Sequence, residues 1–286
     1  MWFITAIFQA IAQAVTWALP VSESGHSAIF HDFSGRFSGN VSQLTGLVHI
    51  GIAIGIFCVF FKLFVRLFKE FIAFFRDAFA KQNPFVNPGS ARQFMFGTVL
   101  GFLPMMLLLV PAGKYDNVYG LFRSMGHNGT LLDEGVFFAL TGAFIMLALL
   151  QMNKHGPQKN VDWYAALILG FAGAFSLPIS GLSYMGILFC LGVMMGIARK
   201  ISYRFAAVSS VLTLLVLGVV ELCVCVTYVK VFAGILAVVL SAVVTFFMIK
   251  LMLWILQHGR LKIFAYYDFT LAGICVVVGI FELLLR

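Results

Sequence analysis

Glu23 and His26 are the residues best suited to chemistry. They lie in a short polar run, residues 19–26 (LPVSESGH), within an otherwise apolar stretch. Proline ends a helix by removing a backbone donor, and glycine loosens the turn that follows. A glutamate and a histidine three residues apart share one face of a helix, so the two could exchange a proton. Ionisable residues at membrane depth are functional candidates by default. Glu23 and His26 are therefore candidate catalytic residues, the alternative being a structural hydrogen bond that closes the turn.

A similar turn, residues 177–186 (LPISGLSYMG), begins with the same Leu-Pro-x-Ser pattern 158 residues later and also separates two apolar runs. Irregular polar backbone at membrane depth is tolerated only inside protein or beside a water-filled cavity. Two broken apolar segments at corresponding places in two halves of a chain indicate a transporter-like site between repeats. The alternative is a pair of proline-kinked spanning helices without chemistry. The hydroxyls in and beside the two turns are Ser22, Ser24, Ser27, Ser180 and Ser183.

The composition indicates the class of protein. Of the 286 residues, 62% are hydrophobic and 10% are charged, and the mean hydropathy is +1.01. A soluble domain has roughly 25% charged residues. The chain is therefore predicted to be a polytopic helical membrane protein whose partners include the lipid bilayer. Its net charge of +8 then reflects how charges are distributed over loops, so no nucleic-acid partner is expected. The five cysteines are scattered through apolar segments without metal-ligand spacing.

The apolar runs predict an all-α polytopic membrane protein with six transmembrane helices plus two re-entrant helical hairpins in two inverted-topology repeats. Residues 1–152 would form the first repeat, with a hairpin at 1–33. Residues 160–286 would form the second, with a hairpin at 163–198. Each hairpin is followed by three spans, and a polar linker, 153–162, separates the halves. The predicted spans are Leu44–Leu63, Arg92–Ala112, Gly135–Met152, Phe205–Thr227, Val231–Gln257 and Ile263–Leu285.

A basic, aromatic-rich stretch, Lys62–Arg92, follows the first span. Its phenylalanines recur at helical spacing, which predicts an amphipathic helix on the membrane surface. If this stretch is cytoplasmic, alternation of the spans puts 13 of the 19 lysine and arginine residues on that side, five on the other, and Lys250 within a span. Cytoplasmic loops of membrane proteins carry the excess of positive charge. The same assignment makes the first hairpin enter from outside and the second from inside, so the repeats would be inverted.

At these residues the sequence resembles the undecaprenyl-pyrophosphate phosphatase (bacitracin-resistance) family, and the likeness extends over nearly the whole chain. Residues 13–26 (QAVTWALPVSESGH) are similar to the family's first signature, in which two glutamates precede a Pro-Val-Ser-Ser-Thr-Gly-His turn. Residues 180–186 (SGLSYMG) are similar to its second signature, Pro-Gly-x-Ser-Arg-Ser-Gly. The resemblance implies six spans and two re-entrant hairpins. It also implies a bacterial inner-membrane enzyme that dephosphorylates the polyprenyl carrier of cell-wall synthesis.

The family's catalytic residues do not all carry over. Its two glutamates, implicated in metal binding or acid–base chemistry, fall on Gln13 and Trp17, and its signature arginine falls on Tyr184. The second serine of the first turn falls on Glu23. Pyrophosphate hydrolysis depends on cations and guanidinium groups that neutralise charge on the transferring oxygens. Neither glutamine nor tryptophan replaces a carboxylate as a ligand for a hard cation. The positions that keep the family type are Ser22, Gly25, His26, Ser183 and Gly186.

These observations lead to one main hypothesis and two alternatives. The main hypothesis is a non-hydrolytic relative that binds a polyprenyl phosphate, a polyprenyl pyrophosphate or another lipid, with no metal and no cofactor. Translocation of the lipid and assembly as a homodimer are both compatible with it. The alternatives are an active phosphatase with a remodelled site, and a transporter of another substrate or a non-catalytic partner in a cell-envelope complex. The predicted substrate-binding residues are Ser22, Ser24, Gly25, His26, His49, Ser180, Ser183 and Tyr184, with Glu221 and Asp268 as further ionisable candidates.

Overall fold

The computed structural model of the chain describes residues 2–34, 43–81, 88–115, 117–125, 130–152, 159–225 and 228–285. Within these ranges the regular structure is helical, and extended pairing is confined to two isolated bridges. The helices of the first half are α1 (Trp2–Ala18), α2 (Glu23–Ser34), α3 (Gln43–Val59), α4 (Phe61–Phe79), α5 (Ser90–Met106), α6 (Val118–Met125) and α7 (Leu132–Met152). Those of the second half are α8 (Trp163–Ser176), α9 (Tyr184–Met194), α10 (Arg199–Val224), α11 (Val231–Gln257) and α12 (Lys262–Leu284).

Five of the described helices are long and apolar enough to cross a membrane, namely α5 with the 3₁₀ turn that follows it, α7, α10, α11 and α12. A sixth is obtained if α3 is counted together with α4, from which it is separated by a bend of 87°. A spanning helix needs about 20 apolar residues, and α1, α2, α8 and α9 are shorter than that. These four helices form two hairpins. The chain is thus an all-α, multi-pass membrane protein.

The first predicted span, Leu44–Leu63, extends about one turn too far. Helix α3 ends at Val59, Phe60 has φ −102° and ψ 21°, and α4 then runs off at 87°. The physical reason is charge, because Lys62 and Arg66 lie in the first turns of α4 and are exposed. Charged side chains are costly within hydrocarbon. The bend therefore keeps the basic and aromatic residues of α4 on a helix separate from the span, as expected of a surface helix.

Arg92 fixes α4 to the start of α5. Its Nε donates a hydrogen bond to Glu70 at 3.1 Å, and its Nη1 donates one to Asp77 at 2.8 Å. Hydrogen bonds between a guanidinium and carboxylates are stronger than those between neutral groups. Leu67 of α4 is buried in an apolar cluster that includes Met95 of α5. Helix α4 is thus held against α5 both by ion pairs and by apolar contact.

The span predicted to start at Phe205 begins earlier in the structure. Helix α10 starts at Arg199, so its basic residues belong to its first two turns. The segment before it is extended, with the Ala198 amide donating to the Lys159 carbonyl at 3.3 Å. A helix of 26 residues is longer than the hydrocarbon layer, so its charged first turns can lie in the interfacial region. Most of the predicted linker, residues 153–158, lies outside the described residues.

The packing of helices between the two halves of the chain is symmetric, because corresponding helices of each half make corresponding contacts with the other half. Helix α1 packs against α11 as α8 packs against α5, while α3 packs against α10 and α7 against α12. Glycines allow the close approaches, since Gly170 of α8 faces the backbone of Gly101 in α5 and Gly51 of α3 faces Ser241 in α11. Small residues at such contacts are typical of membrane helices. Two structurally related halves would produce this pairing, and their opposite orientation in the membrane stays a prediction.

Candidate functional site

Each hairpin turn ends at a serine that caps the helix after it. The Ser22 hydroxyl accepts a hydrogen bond from the Gly25 amide at 3.0 Å, and the Ser183 hydroxyl accepts one from the Gly186 amide at 3.1 Å. A side-chain oxygen at this position satisfies a backbone donor that the first turn of a helix leaves free. The structural counterpart of Ser22 is therefore Ser183, whereas the repeated Leu-Pro-x-Ser pattern of the sequence pairs Ser22 with Ser180.

The two turns contact each other. A Cβ atom on Gly25 would lie 2.9 Å from the Cα of Gly181, and one on Gly186 would lie 3.4 Å from the Cα of Pro20. A side chain at position 25 would thus meet the opposite turn, so glycine is needed there for the close approach. The contact brings the first turns of α2 and α9 together. Helix N-termini carry partial positive charge and free N–H groups, so their convergence favours an anion.

The second turn is held against α7. The Thr141 hydroxyl donates to the Gly181 carbonyl at 3.1 Å and accepts from the Ser183 amide at 3.3 Å. Ser180 lies near Glu134 of α7, and its buried hydroxyl has no hydrogen-bond partner among the described residues. Ser180, a predicted binding residue, therefore faces α7 rather than the space between the two hairpins.

A cavity of about 50 Å³ lies beside the meeting point of the two turns. It is lined by residues of both hairpins together with residues of α3, α6 and α10. The predicted site residues that line it are Glu23, Ser24, His49, Ser183 and Tyr184. Those that do not line it are Ser22, Gly25, His26 and Ser180. Trp17, Tyr119, Ser176 and Glu221 are its other polar and aromatic lining residues, and among the side chains that the structure describes none of the lining residues is a lysine or an arginine.

A buried pair of ionisable side chains joins α3 to α10 at this cavity. His49 Nδ1 lies 2.7 Å from Glu221 Oε2. Because a carboxylate only accepts hydrogen bonds, Nδ1 carries the proton between them. His49 Nε2 is buried and, among the described residues, has no hydrogen-bond partner. The sequence marks each residue as an ionisable side chain within an apolar segment, but a separation of 172 residues conceals that the two are partners.

Glu23 faces this pair from the first turn of α2. Its carboxylate accepts a hydrogen bond from Ser27 Oγ at 3.1 Å, and the Gln13 amide is a further partner. Glu23 interacts electrostatically with both His49 and Glu221. Its direct hydrogen bonds are thus to neutral groups, and the charge that it brings to the cavity is not balanced by a cation of its own.

Trp17 and Tyr184, the two aromatic replacements of family residues, stack on each other. Their ring centroids are 5.6 Å apart and their planes differ by 29°. The Tyr184 hydroxyl lies 3.0 Å from Thr213 Oγ1, and the Trp17 ring also lies 5.8 Å from the His49 ring. Trp17 Nε1 is buried and has no hydrogen-bond partner in the described part of the chain. An aromatic pair therefore fills the place to which the resemblance assigns a glutamate and an arginine.

His26 points away from the cavity. Its Nδ1 donates to the Ser22 carbonyl at 2.5 Å, so in the neutral ring its Nε2 accepts from the Tyr267 hydroxyl, 2.6 Å away. The His26 and Tyr267 rings are stacked with centroids 5.8 Å apart. The structure therefore does not bring Glu23 and His26 together as a proton-exchanging pair, although they are three residues apart on one helix. The histidine that lies near Glu23 in the structure is His49 rather than His26.

The positions of the family's two glutamates do not fit a hard cation. Gln13 Oε1 accepts from Gln9 Nε2 at 3.4 Å, and the Trp17 ring is packed against Tyr184. Magnesium and calcium ions bind carboxylate oxygens, which these side chains do not offer. Over the described ranges, no group of three His, Cys, Asp or Glu side chains is arranged to hold a metal ion.

Asp268, the other ionisable candidate, lies outside the cavity. It is fully buried in α12, and neither of its carboxylate oxygens has a hydrogen-bond partner among the described residues. It interacts electrostatically with Cys190 of α9. The structure thus separates Asp268 from the group formed by Glu23, His49 and Glu221.

Comparison with known proteins agrees with the resemblance of the two turns. A family model described as "Bacitracin resistance protein BacA" matches residues 6–274. An undecaprenyl-diphosphatase of Korarchaeum cryptofilum is 26% identical over 278 residues, covering 96% of both chains. One of Alkaliphilus metalliredigens is 28% identical over 287 residues, covering 96% of this chain and 98% of its own. One of Methanosphaera stadtmanae is 24% identical over 286 residues, covering 99% and 97%. With its family match extending over nearly its whole length, the chain belongs to the BacA family.

Proposed function

We propose that this chain binds the phosphate end of a polyprenyl phosphate or pyrophosphate lipid carrier in the bacterial cytoplasmic membrane and does not hydrolyse it. Membership of the BacA family supports the choice of lipid, since its relatives are named undecaprenyl-diphosphatase. The cavity between the two hairpin turns is the proposed site of the phosphate group. The chain would then serve cell-envelope synthesis by holding or moving the carrier.

Two unpartnered ring nitrogens are the observation that carries binding. Trp17 Nε1 and His49 Nε2 are both buried without a hydrogen-bond partner in the described structure, and both residues line the same cavity. Leaving a buried polar group unsatisfied costs about 1–3 kcal/mol. Because Nδ1 of His49 already carries a proton, its Nε2 donates to a phosphate oxygen when the ring is doubly protonated. An indole N–H can only donate, so it requires an acceptor such as a phosphate oxygen. The converging N-termini of α2 and α9 favour an anion at the same place.

The charges of the cavity are the reason to propose that hydrolysis is lost. Removing one electrostatic stabiliser of a transition state costs roughly 3–4 kcal/mol, on the order of a thousandfold in rate. This chain lacks two carboxylates and one guanidinium at the family's positions, where it has Gln13, Trp17 and Tyr184. Glu23 adds a negative charge beside the site of the phosphate. The hydrogen-bond donors that are present can hold a phosphate, but they do not neutralise the negative charge on its oxygens during transfer.

The test of binding is a substitution that removes one donor and keeps the ring. We expect Trp17→Phe to weaken binding of farnesyl monophosphate by purified protein roughly 10- to 100-fold, the equivalent of one hydrogen bond to a charged group. Isothermal titration calorimetry would measure the affinity of each protein. Trp163→Phe is the matched control, because Trp163 is exposed on α8 and does not line the cavity. Equal affinity of Trp17→Phe and the wild type would contradict the proposed site.

Translocation of the carrier is a second candidate that uses the same site. The observation that favours it is the contact between the two hairpin turns, one from each half of the chain. Binding sites of transporters with repeated halves are formed in this way by broken helices. Reconstitution in vesicles with a fluorescent polyprenyl phosphate would test it, since a translocating protein makes the probe in the inner leaflet accessible to an external quencher. If the probe in the inner leaflet is protected from the quencher as well as it is in protein-free vesicles, the protein binds the carrier without translocating it.

A further inference from the structure

We propose that the phosphate end of the lipid enters the cavity together with a proton, which is taken up by the cluster of Glu23, His49 and Glu221. The proposal rests on the proposed function, because it concerns the same ligand at the same site. It adds that the affinity for the carrier depends on pH through these three side chains. Of the three, Glu23 alone occupies a position of the family's signatures discussed above.

The charges of this cluster are unbalanced. Glu23 and Glu221 each carry one negative charge when ionised, and His49 carries one positive charge when its ring is doubly protonated. His49 Nδ1 is already engaged with Glu221 Oε2 at 2.7 Å. Glu23 is left with the Ser27 hydroxyl, at 3.1 Å, and the Gln13 amide. A phosphate anion that enters the cavity therefore meets a carboxylate without a compensating cation.

Among the side chains that the structure describes, the other elements around the cluster do not supply the missing positive charge. Helix α1 has no ionisable residue. Helix α9 contributes the phenol of Tyr184, and α6 contributes that of Tyr119. Helix α11 also packs against α3, and its one charged side chain, Lys250, lies over the ring of Phe246. The basic residues of α4 and of the first turns of α10 do not line the cavity.

The remaining ionisable groups nearby point elsewhere. His26, on the same helix as Glu23, is bound to Tyr267. Glu134 of α7 lies beside Ser180, which does not line the cavity. The other ionisable residues of α2 are at its exposed end. Of the ionisable side chains that the structure describes, Glu23, His49 and Glu221 are thus the ones placed to take up the proton that balances an incoming anion.

Proton uptake and anion binding are coupled through charge. Neighbouring like charges disfavour each other's ionised form, so an anion in the cavity favours a protonated Glu23. By linkage, a proton on Glu23 strengthens binding of the anion by the same factor. The buffered solvent supplies the proton to a carboxylate oxygen of Glu23, which then donates a hydrogen bond to a phosphate oxygen. No bond to phosphorus is formed or broken.

The experiment counts protons during binding of farnesyl monophosphate by the full-length purified protein. Calorimetry in two buffers of different ionisation enthalpy gives the number taken up, and the affinity is measured between about pH 5.5 and 8. We expect the wild type to bind more tightly as the pH is lowered, by at most about tenfold for each pH unit, the limit for uptake of one proton. Glu23→Gln should take up about one proton fewer and bind more tightly at the upper end of this range. Glu70→Gln, which is isosteric and lies on α4 outside the cavity, should behave like the wild type.

Each outcome distinguishes the two proposals. Because the ligand titrates in the same range, the decisive quantity is the difference in proton number between the wild type and Glu23→Gln. Equal proton numbers in the two proteins overturn the proton proposal and leave lipid binding in place. If Glu23→Gln does not fold, as judged by size-exclusion chromatography, Glu23→Ser, which has the family's residue type at this position, replaces it in the same comparison. Absence of binding at every pH contradicts the proposed function itself.

Discussion

Trp17 and Tyr184 alter the site as a pair rather than one at a time. Their rings stack at 5.6 Å on the wall of the cavity. A charged residue restored at either position alone would be buried against the opposite aromatic ring without a partner. Removing one member of a buried ion pair typically costs 3–5 kcal/mol, and an unpaired charge introduced at such a site has the same difficulty. The two aromatic residues are therefore mutually compatible, and each obstructs a return to the charged arrangement.

Restoring the family residues together tests this interpretation. We expect Gln13→Glu, Trp17→Glu and Tyr184→Arg combined to gain phosphate release from farnesyl pyrophosphate with Mg²⁺, because the carboxylates and the guanidinium then act on the same transferring group. Each substitution alone should give no release, since such groups act as a unit. Adding Glu23→Ser removes the repulsion of the anion and should increase the gain. Release by any one single variant equal to that of the triple variant would contradict the argument.

The replaced residue types at the site could be predicted from the sequence, but their contacts could not. The resemblance identified Gln13, Trp17 and Tyr184 as departures from the family, and nothing in a linear sequence shows that two of them stack. The same limit applies to Glu23 and His26, because helical spacing indicates a shared face but not which neighbours each side chain meets. Tyr267 binds the histidine from another helix, 241 residues away in sequence.

At the scale of the helices, the two hairpins depend on their serine caps. Ser22 and Ser183 each accept a backbone hydrogen bond in the first turn of a short return helix. Short helices gain little from their own propagation, so the cap and the surrounding packing determine whether they form. The turns, rather than the helices, thus define where the two halves of the chain meet.

Substitution of these serines separates the structural pairing of the turns from their sequence pairing. We expect Ser183→Ala to lower the free energy of unfolding by about 1 kcal/mol, the usual cost of losing such a cap. Ser180→Ala is the control, because Ser180 occupies the matching place in the repeated motif but caps no helix, and it should cost less. Denaturant unfolding of purified protein followed by circular dichroism would measure both. A larger loss for Ser180→Ala would mean that the cap has been assigned to the wrong serine.

The ends of the helices were predicted accurately where a long apolar run determines them, and less accurately where basic residues lie beside the run. The span Val231–Gln257 is found with the predicted bounds, because a long apolar run has no competing structure. The ends of α3 and α10 were misplaced by the basic residues beside them. After α3 the chain bends sharply and the basic residues lie on the next helix, α4, whereas in α10 the basic residues form the first turns of the spanning helix itself, from Arg199. Composition alone does not distinguish these two outcomes.

For the whole molecule, the predicted orientation follows from the distribution of basic residues. Lys81, just after the surface helix α4, should face the cytoplasm, and Lys230, just before α11, should face the outside. In a chain whose native cysteines are replaced by alanine, we expect a membrane-impermeant maleimide added to intact cells to label Lys230→Cys but not Lys81→Cys. Both lysines are exposed, so burial does not confound the comparison. Labelling of Lys81→Cys without cell lysis would reverse the orientation.

The architecture of the molecule was accessible from the sequence, while the pairing within its cavity was not. Apolar runs and two proline-containing turns predicted an all-α membrane protein with two hairpins, and the family resemblance was confirmed. The inverted relation of the halves stays a prediction. His49 and Glu221 come from different halves, and their pairing depends on how α3 and α10 pack. Packing of this kind is set by the whole set of helices rather than by any local pattern.

The central claim, that the chain holds a phosphorylated lipid without hydrolysing it, is tested most directly by the fate of bound farnesyl pyrophosphate. Purified wild-type protein would be incubated with the labelled lipid and Mg²⁺ or Ca²⁺, and the lipid that co-purifies with it would be extracted and identified. We predict that it is recovered as the intact pyrophosphate, with no phosphate released above a protein-free control. Turnover by the wild type that disappears in Glu23→Gln or His26→Ala would contradict the claim and reveal a new catalytic arrangement on this fold.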